Sequence, residues 1–329
     1  MSSDAPPFLQ PALRSGVKVS LDESSVLLEL GSKSCSFEFQ TAEKRDISHL
    51  LRNLETGGFG LNDLARLSPT ISDGIGELIR DLDRHRFLRE SAPNQRAMTG
   101  QQLYRELQRI SDRVVEKNAK SRFKNGLDDG TVGSQQIIGY ALEYFWIVRS
   151  APCIIGPSLA SAHGRDERRI LQQFLASELG HDTFLAGALS AIGFSRDNLE
   201  DHQPLPATFS VGASLGVYAL QHPLSFKACL FLLERTQPEF VDSFEKRCIE
   251  LGFPEAFYGP FRKHSEINDE YDHEDISGDL LRLESAIDLE NASVVKRHVA
   301  LMVETIIQQE DQILDYYGSS SAVLPRIFT

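Results

Sequence analysis

Hydrophobic and polar positions alternate with a period of two in the first part of the chain, which is the pattern of half-buried strands. The alternation covers residues 17–21, 26–30 and 35–39, and turn residues separate the three runs. Helical patterns follow at residues 42–54, 61–67 and 72–88, where apolar side chains recur every three or four positions. This order predicts three antiparallel strands followed by three short helices.

Beyond residue 100 the pattern is helical throughout. The stretch 91–98 contains Pro93 and polar residues and is typical of a linker. We therefore predict a winged-helix-like α+β domain at residues 1–92 and an all-helical domain at residues 93–329. The helices of the second domain are expected at 101–121, 135–150, 157–162, 164–192, 208–221, 223–237, 238–251, 260–277, 278–289 and 292–317.

The predicted helix that starts at residue 164 carries two ionisable residues, Glu178 and His181, within its apolar stripe. The stripe consists of Leu171, Phe174, Leu175, Leu185, Leu189 and Ile192. Ionisable groups that face a core are costly unless they are paired, hydrogen-bonded or bound to a metal. The spacing Glu-x-x-His presents a carboxylate and an imidazole to one metal ion in helical bundles. The two residues are therefore either a buried pair or part of a metal site.

Further candidate ligands follow along the chain. Glu234 ends the apolar run 228–233, and His264, Asp269 and His273 cluster on a later segment. These oxygen and nitrogen donors suit iron or manganese better than a metal that prefers thiolates. Glu143, in an aromatic helical stretch, is expected to pair with Arg149 or to contact a substrate, with the ion pair favoured.

Composition and charge narrow the class of protein. The 329 residues are 41% hydrophobic and 25% charged, which is ordinary for a globular protein. The net charge of −13 argues against a partner held through nucleic-acid phosphates. Four widely spaced cysteines form no CxxC motif, so neither a disulfide framework nor a zinc knuckle is indicated. The start of the chain does not have the pattern of a signal peptide, and no apolar run reaches the length of a membrane span.

The second domain resembles the non-haem iron branch of the haem-oxygenase-like family, which shares its fold with thiaminase II and pyrroloquinoline-quinone synthase. The likeness rests on the stretches at residues 142–152, 178–194, 232–240 and 261–276. In that family one helix supplies Glu and His, a second supplies Glu, and a third supplies His and Asp followed by a second His. The resemblance therefore implies two iron ions held by Glu178, His181, Glu234, His264, Asp269 and His273, with O2 as co-substrate.

The third segment departs from the family pattern, in which the three groups are spaced His-x3-Asp-x2-His. Nine residues separate His264 from His273, and on a regular helix that separation places them on opposite faces. Either the helix carries a π-bulge, or Glu266 or Glu270 takes the place of one histidine. His273 is the better-supported ligand, because Asp269 lies one turn before it. One metal ion also remains an alternative to two.

The first domain resembles the leader-peptide recognition domain of systems that modify ribosomally made peptides. The stretches at residues 16–39 and 71–88 carry this likeness in pattern and order. In that family a leader peptide adds a strand beside the third strand and packs against the third helix, a form of β-augmentation. The resemblance implies peptide contacts along the third strand, at Cys35, Ser36, Glu38 and Gln40.

Together the resemblances imply a cytoplasmic, O2-dependent iron oxidase or oxygenase that modifies a precursor peptide in natural-product biosynthesis. The expected partner is that peptide, with no nucleic acid and no membrane, and a homodimer is left open. One alternative is a metal-free enzyme like thiaminase II or the quinone synthase that acts on a small molecule. Another is a peptide-binding protein without catalytic activity.

Overall fold

The structure is a computed structural model of the whole chain and describes residues 8–31, 33–91, 97–117, 121–234, 238–270 and 275–328. The side chains of residues 117, 238 and 266–270 also lie outside the description. The chain divides into two compact units, Met1–Ala97 (unit 1) and Met98–Thr329 (unit 2). The division falls five residues after the boundary expected at 92/93.

Unit 1 contains a three-stranded antiparallel sheet of order β2-β3-β4, as the alternating patterns predicted. A second sheet is the antiparallel pair of β1 and β5, which come from the beginning and the end of the sequence of unit 1. The sequence analysis missed this pair, because three-residue strands are too short to show alternation. The strands are β1 (Pro11–Leu13), β2 (Lys18–Leu21), β3 (Ser25–Leu30), β4 (Lys33–Glu38) and β5 (Leu88–Glu90).

Three helices complete unit 1: α1 (Lys44–Thr56), α2 (Leu61–Leu67) and α3 (Ile75–Arg84). The last is shorter than the helix predicted at 72–88, because Pro69–Gly74 forms a 3-10 helix and Arg86 turns the chain with a φ of 63°. Val26 and Leu28 of the central strand are fully buried in the core with these helices. The winged-helix character of this arrangement stays a prediction.

Unit 2 is built almost entirely from helices. A two-residue strand β6 (Ala97–Met98) lies at the junction of the units, and another, β7 (Ile287–Asp288), precedes the last helix. The helices are α4 (Gly100–Lys117), α5 (Arg122–Asp128), α6 (Ser134–Ala160), α7 (Arg165–Glu178), α8 (His181–Ser190), α9 (Arg196–Asp201), α10 (Pro206–Gln221), α11 (Pro223–Cys229), α12 (Phe231–Glu234), α13 (Pro238–Glu250), α14 (Glu255–Glu270), α15 (Ile276–Arg282) and α16 (Leu289–Tyr317).

The helix α6 lies at the centre of unit 2 and packs against α7, α8, α10 and α16. It runs through Pro152 and Pro157 without a break. The prediction of two helices, 135–150 and 157–162, was therefore wrong. An apolar helix packed on several sides gains enough burial to tolerate the lost backbone hydrogen bonds that proline causes. The helices 223–237 and 278–289 were also predicted too long. In the structure α11 ends at Cys229, before Leu230, and α15 ends at Arg282.

The predicted single helix 164–192 is two helices in the structure. α7 ends at Glu178 and α8 begins at His181, with Leu179 extended and Gly180 at a φ of 90° between them. A positive φ is a conformation that glycine adopts readily and other residues rarely do. Leu179 is 63% exposed, so the break turns the one apolar residue between Glu178 and His181 towards solvent.

All four cysteines are unpaired. None of the described helices combines the length and the apolar character that a bilayer-spanning segment needs.

Candidate functional site

Glu178 and His181 flank the break between α7 and α8 and face the interior. They are 5% and 4% exposed, and the His181 Nδ1 atom lies 3.5 Å from a carboxylate oxygen of Glu178. This distance is at the long limit of a hydrogen bond, and Nδ1 has no closer partner among the described residues. The contact with Glu178 raises the pKa of His181, against the opposing effect of burial.

His264, on α14, lies against His181. The side chain is 4% exposed, and the two imidazole centroids are 4.8 Å apart in an edge-to-face arrangement. His264 Nδ1 is also 3.1 Å from the hydroxyl of Tyr144, on α6. The structure thus brings His264 beside His181, and the choice among the other predicted ligands of this segment stays a prediction.

Glu234 is the last residue of α12 and is half-buried. It lines the same cavity as Glu178 and His264. Burial, followed by the charges of Glu234 and Glu178, raises the pKa of Tyr144 well above the ordinary range. The charge of Glu234 also contributes to the raised pKa of His181. Glu234 is therefore close enough to act on the same polar cluster.

The cavity has a volume of about 180 Å³, and its lining is mostly apolar. Its polar lining residues are Tyr140, Tyr144, Glu178, Glu234, His264, Gln309 and Glu310. The rest of the lining, the apolar wall, comes from α6, α7, α10, α11, α12 and α16 and includes Ile147, Ala151, Ile154, Phe174, Leu215, Phe226 and Ile306. Such a wall can bind an apolar group.

The donor types around the cavity fit a transition metal such as iron. Carboxylate oxygens and imidazole nitrogens are the ligands that iron prefers over thiolates. The side chain of Asp269 and the whole of His273 lie outside the part of the chain that the structure describes. Within the described part of the chain, no three His, Cys, Asp or Glu side chains are close enough together to form a ready-made metal site. The residues present therefore supply a partial donor set.

The contact between Tyr144 and His264 could not be predicted from the sequence. A helical pattern shows that a tyrosine faces inward, but it does not show which polar group its hydroxyl meets. Glu310, on α16, was missed for a similar reason. It lines the cavity, and burial raises its pKa.

Glu143 does not pair with Arg149, so the favoured prediction was wrong. Its carboxylate accepts hydrogen bonds from the Tyr317 hydroxyl at 2.6 Å and from the Leu205 amide at 2.9 Å. Arg149 instead donates to the backbone carbonyls of Leu199 and Glu200. Glu143 is not one of the described residues that line the cavity. Its hydrogen bonds connect α6 to α16 and to the start of α10.

Unit 1 has a groove of about 470 Å³ between β4 and the segment 69–81. β4 is an edge strand of its sheet. Of the predicted peptide contacts, Glu38 lines the groove, Ser36 is exposed and Cys35 is half-buried. The amide of Gln40 donates to Glu43 Oε2 at 2.8 Å, so that amide is already engaged.

Comparison with solved structures identifies the helical fold. A domain of unknown function with a haem oxygenase-like fold from Shewanella denitrificans matches with a TM-score of 0.57 at 16% identity, over 70% of this chain and 99% of that one. A TenA homologue from Pseudomonas syringae pv. tomato matches with a TM-score of 0.53 at 15% identity, over 65% of this chain and 92% of that one. The sequence matches no protein-family profile and no curated protein at a significant level. The chain therefore contains a haem oxygenase-like, TenA-like fold.

Proposed function

We propose that unit 2 is a non-haem iron oxidase or oxygenase that uses O2 to modify a ribosomally made precursor peptide. The observation that carries the proposal is that His181 contacts both Glu178 and His264, two residues that line a largely apolar cavity. Unit 1 is proposed to be the winged-helix-like domain that recognises the peptide. The alternative is a metal-free enzyme of the thiaminase II kind, and the structural similarity to a TenA homologue supports it.

The proposed metal ligands are Glu178, His181, Glu234 and His264, completed by Asp269 and His273. Two carboxylates and two imidazoles among the described residues are a donor set that suits iron. A pair of iron ions is expected, because carboxylate-rich helical bundles hold such pairs. Bound iron would supply the one-electron and O2 chemistry that side chains do not perform.

Tyr144 is proposed to orient His264. The hydroxyl oxygen of Tyr144 lies 3.1 Å from His264 Nδ1, and in the proposed tautomer it accepts a hydrogen bond from the Nδ1–H group. An imidazole that donates through Nδ1 presents an unprotonated Nε2, the form that binds metals. Tyr144 is in this sense a positioning residue.

The apolar wall is proposed to hold the substrate side chain and to exclude water. With a volume of about 180 Å³, the cavity has room for a side chain and not for a folded segment. A peptide substrate therefore has to insert a single residue, while the rest of the peptide stays outside. Binding of another part of the peptide to unit 1 would raise the effective concentration of that residue near the cavity.

Metal loading and turnover test the proposal. Protein prepared without O2 and supplied with ferrous iron is expected to hold about two iron ions per chain. On exposure to O2 it is expected to consume O2 and to change the mass of a peptide encoded beside its gene. A chain that binds no iron and still converts a small molecule would overturn the proposal in favour of the metal-free enzyme.

Two variants make the test specific to the site. Glu178→Gln keeps the size of the side chain and removes a ligand, so iron content is expected to fall. Glu304→Gln makes the same change at an exposed position of α16 and is the control. Equal iron content in both variants would show that Glu178 is not a ligand.

A further inference from the structure

The groove of unit 1 has an acidic rim. The charged residues that line it are Glu38, Glu43, Asp73, Glu77 and Asp81, and no Lys, Arg or His is among the described residues that line it. Unit 1 as a whole is nearly balanced, with 12 Lys and Arg against 14 Asp and Glu in residues 1–97. The acidic rim is therefore a local feature of the groove and does not follow from composition.

Part of this negative charge has no cation beside it. Asp81 pairs with Arg84 at 2.7 Å, and Glu43 accepts the amide of Gln40. No described cation lies within ion-pair distance of Glu38, Asp73 or Glu77. Grouped carboxylates around a concave surface focus a negative potential and attract cations.

The open edge of β4 supplies a second, independent feature. Phe39 donates its amide to the Ser24 carbonyl, which fixes the alternation of the antiparallel β3–β4 ladder. The backbone groups of Phe37 and Cys35 therefore face β3, and those of Ser34, Ser36 and Glu38 face away from it. No backbone partner on that outer side is described for these three residues. They can accept one more strand.

The floor of the groove is apolar. Phe37, Phe39, Ile71 and Leu78 line it, and Phe37 is only half-buried. An added strand presents every second side chain to the same face. Alternate residues of an occupant would thus lie on Phe37 and Leu78, within reach of the acidic rim.

We propose that the groove binds an extended segment of basic peptide in which Lys or Arg accompanies apolar residues on the side that faces the groove. The inference rests on the proposed function of unit 1 and adds the chemistry of the partner. Lys and Arg lay their aliphatic stems along apolar surface while their charged ends reach carboxylates. The segment spans about six residues, because β4 is six residues long. Its backbone pairs with Ser34, Ser36 and Glu38. Its basic side chains on the side of Phe37 meet Asp73 and Glu77, and those on the opposite side meet Glu38.

Three synthetic peptides of one length test the proposal on the full chain. They share two Leu residues and carry Lys, Ser or Glu at the other positions, so that the varied side chains lie on both faces of the added strand. Fluorescence anisotropy measures their affinities at low and high salt. The Lys peptide is expected to bind about tenfold more tightly than the Glu peptide at low salt, and the difference is expected to shrink at high salt.

Two substitutions separate the rim from the general charge of the protein. Glu77→Gln is expected to weaken the binding of the Lys peptide several-fold and to leave the affinity for the Ser peptide unchanged. Glu55→Gln removes the same charge from an exposed position outside the groove and is expected to change neither. An equal effect of both substitutions would overturn the proposed role of the rim.

Ser36→Pro tests the strand edge. Proline removes an amide that faces away from β3, so the sheet keeps its own hydrogen bonds while the added strand loses one. Binding of all three peptides is expected to weaken, with hydrogen exchange of β3 unchanged. If the Glu peptide binds as tightly as the Lys peptide and Ser36→Pro weakens both, the basic character is wrong and peptide recognition stands. If no peptide protects the amides of β4 from exchange, peptide recognition by unit 1 fails as well.

Discussion

The imidazoles of His181 and His264 meet edge to face with their centroids 4.8 Å apart, although 83 positions separate them in the sequence. α8 supplies the first from its N-terminal residue, and α14 supplies the second from its interior. Burying two imidazoles and the carboxylate of Glu178 together costs desolvation free energy, which packing alone does not explain. The neighbourhood of this contact is therefore the place where the chemistry of unit 2 is expected.

His264→Ala is expected to lower iron affinity by tenfold or more, because it removes a proposed ligand. His85→Ala, at an exposed position of unit 1, controls for the loss of an imidazole. Iron content after dialysis against a graded chelator measures the difference. Unchanged affinity in His264→Ala would show that this histidine packs against the site without binding the metal.

Tyr144→Phe tests the positioning role of a hydroxyl. The substitution keeps the aromatic ring that packs on His264 and Phe261 and removes only the contact with Nδ1. Loss of such an outer partner lowers metal affinity by about 10- to 100-fold. Tyr258→Phe, whose ring lies outside the cavity lining, is the control, and iron titration is the readout. If Tyr144→Phe binds iron like the control, the hydroxyl does not orient His264.

The sequence indicated which residues are unusual, but not how they are arranged. Glu178 and His181 interrupt an apolar stripe, and that interruption is visible without a structure. The break at Gly180 was not visible, because the stripe continues in register on both sides of it. The alternation of Cys35, Phe37 and Phe39 predicted β4 correctly, since period-two patterns are local. The pairing of β1 with β5 depends on residues about 77 positions apart and leaves no local pattern.

Long-range polar contacts were the other feature that local patterns could not reveal. Glu143 lies six positions before Arg149, and this proximity suggested an ion pair. The actual partner is Tyr317, which is 174 positions away and is brought to Glu143 by the packing of α16 on α6. Close packing of two helices determines such a contact, and a single helical pattern contains no information about the neighbour.

Tyr317→Phe is expected to destabilise unit 2 by about 1–3 kcal/mol. It removes a hydrogen bond of 2.6 Å to the fully buried carboxylate of Glu143, and a buried acceptor that loses a partner keeps its desolvation cost. Tyr316→Phe changes the neighbouring, half-exposed residue and is expected to cost less than 1 kcal/mol, or about the value of one weak hydrogen bond. Urea unfolding measures both. Equal losses of stability would show that the Glu143 contact contributes nothing particular.

Two helical glycines, Gly139 of α6 and Gly216 of α10, are expected to respond to alanine with opposite signs. A Cβ at Gly139 would overlap the ring of Tyr317, so Gly139→Ala forces α6 and α16 apart and costs about 1–3 kcal/mol. A Cβ at Gly216 meets no atom within 4 Å, so Gly216→Ala gains helix propensity and stabilises by about 0.5–1 kcal/mol. Thermal unfolding of the two variants compares them directly. A Gly139→Ala variant as stable as the unchanged protein would contradict the close approach of α6 and α16.

Removal of residues 1–97 separates the two proposed activities. The division of the chain lies at Ala97, and Glu178, His181, Glu234 and His264 all belong to unit 2. The shortened protein is therefore expected to keep its helical circular dichroism and its iron content.

Turnover of a precursor peptide by the shortened protein is expected to fall steeply at low peptide concentration and to recover partly at high concentration. The reason is that a flexible tether supplies an effective concentration in about the millimolar range, and that contribution is lost with unit 1. Oxidation of a short peptide that lacks the recognised segment is expected to be equal in both proteins, which makes it the internal control. A shortened protein that processes the full precursor at low concentration as fast as the whole chain does would show that unit 1 is not the recognition domain.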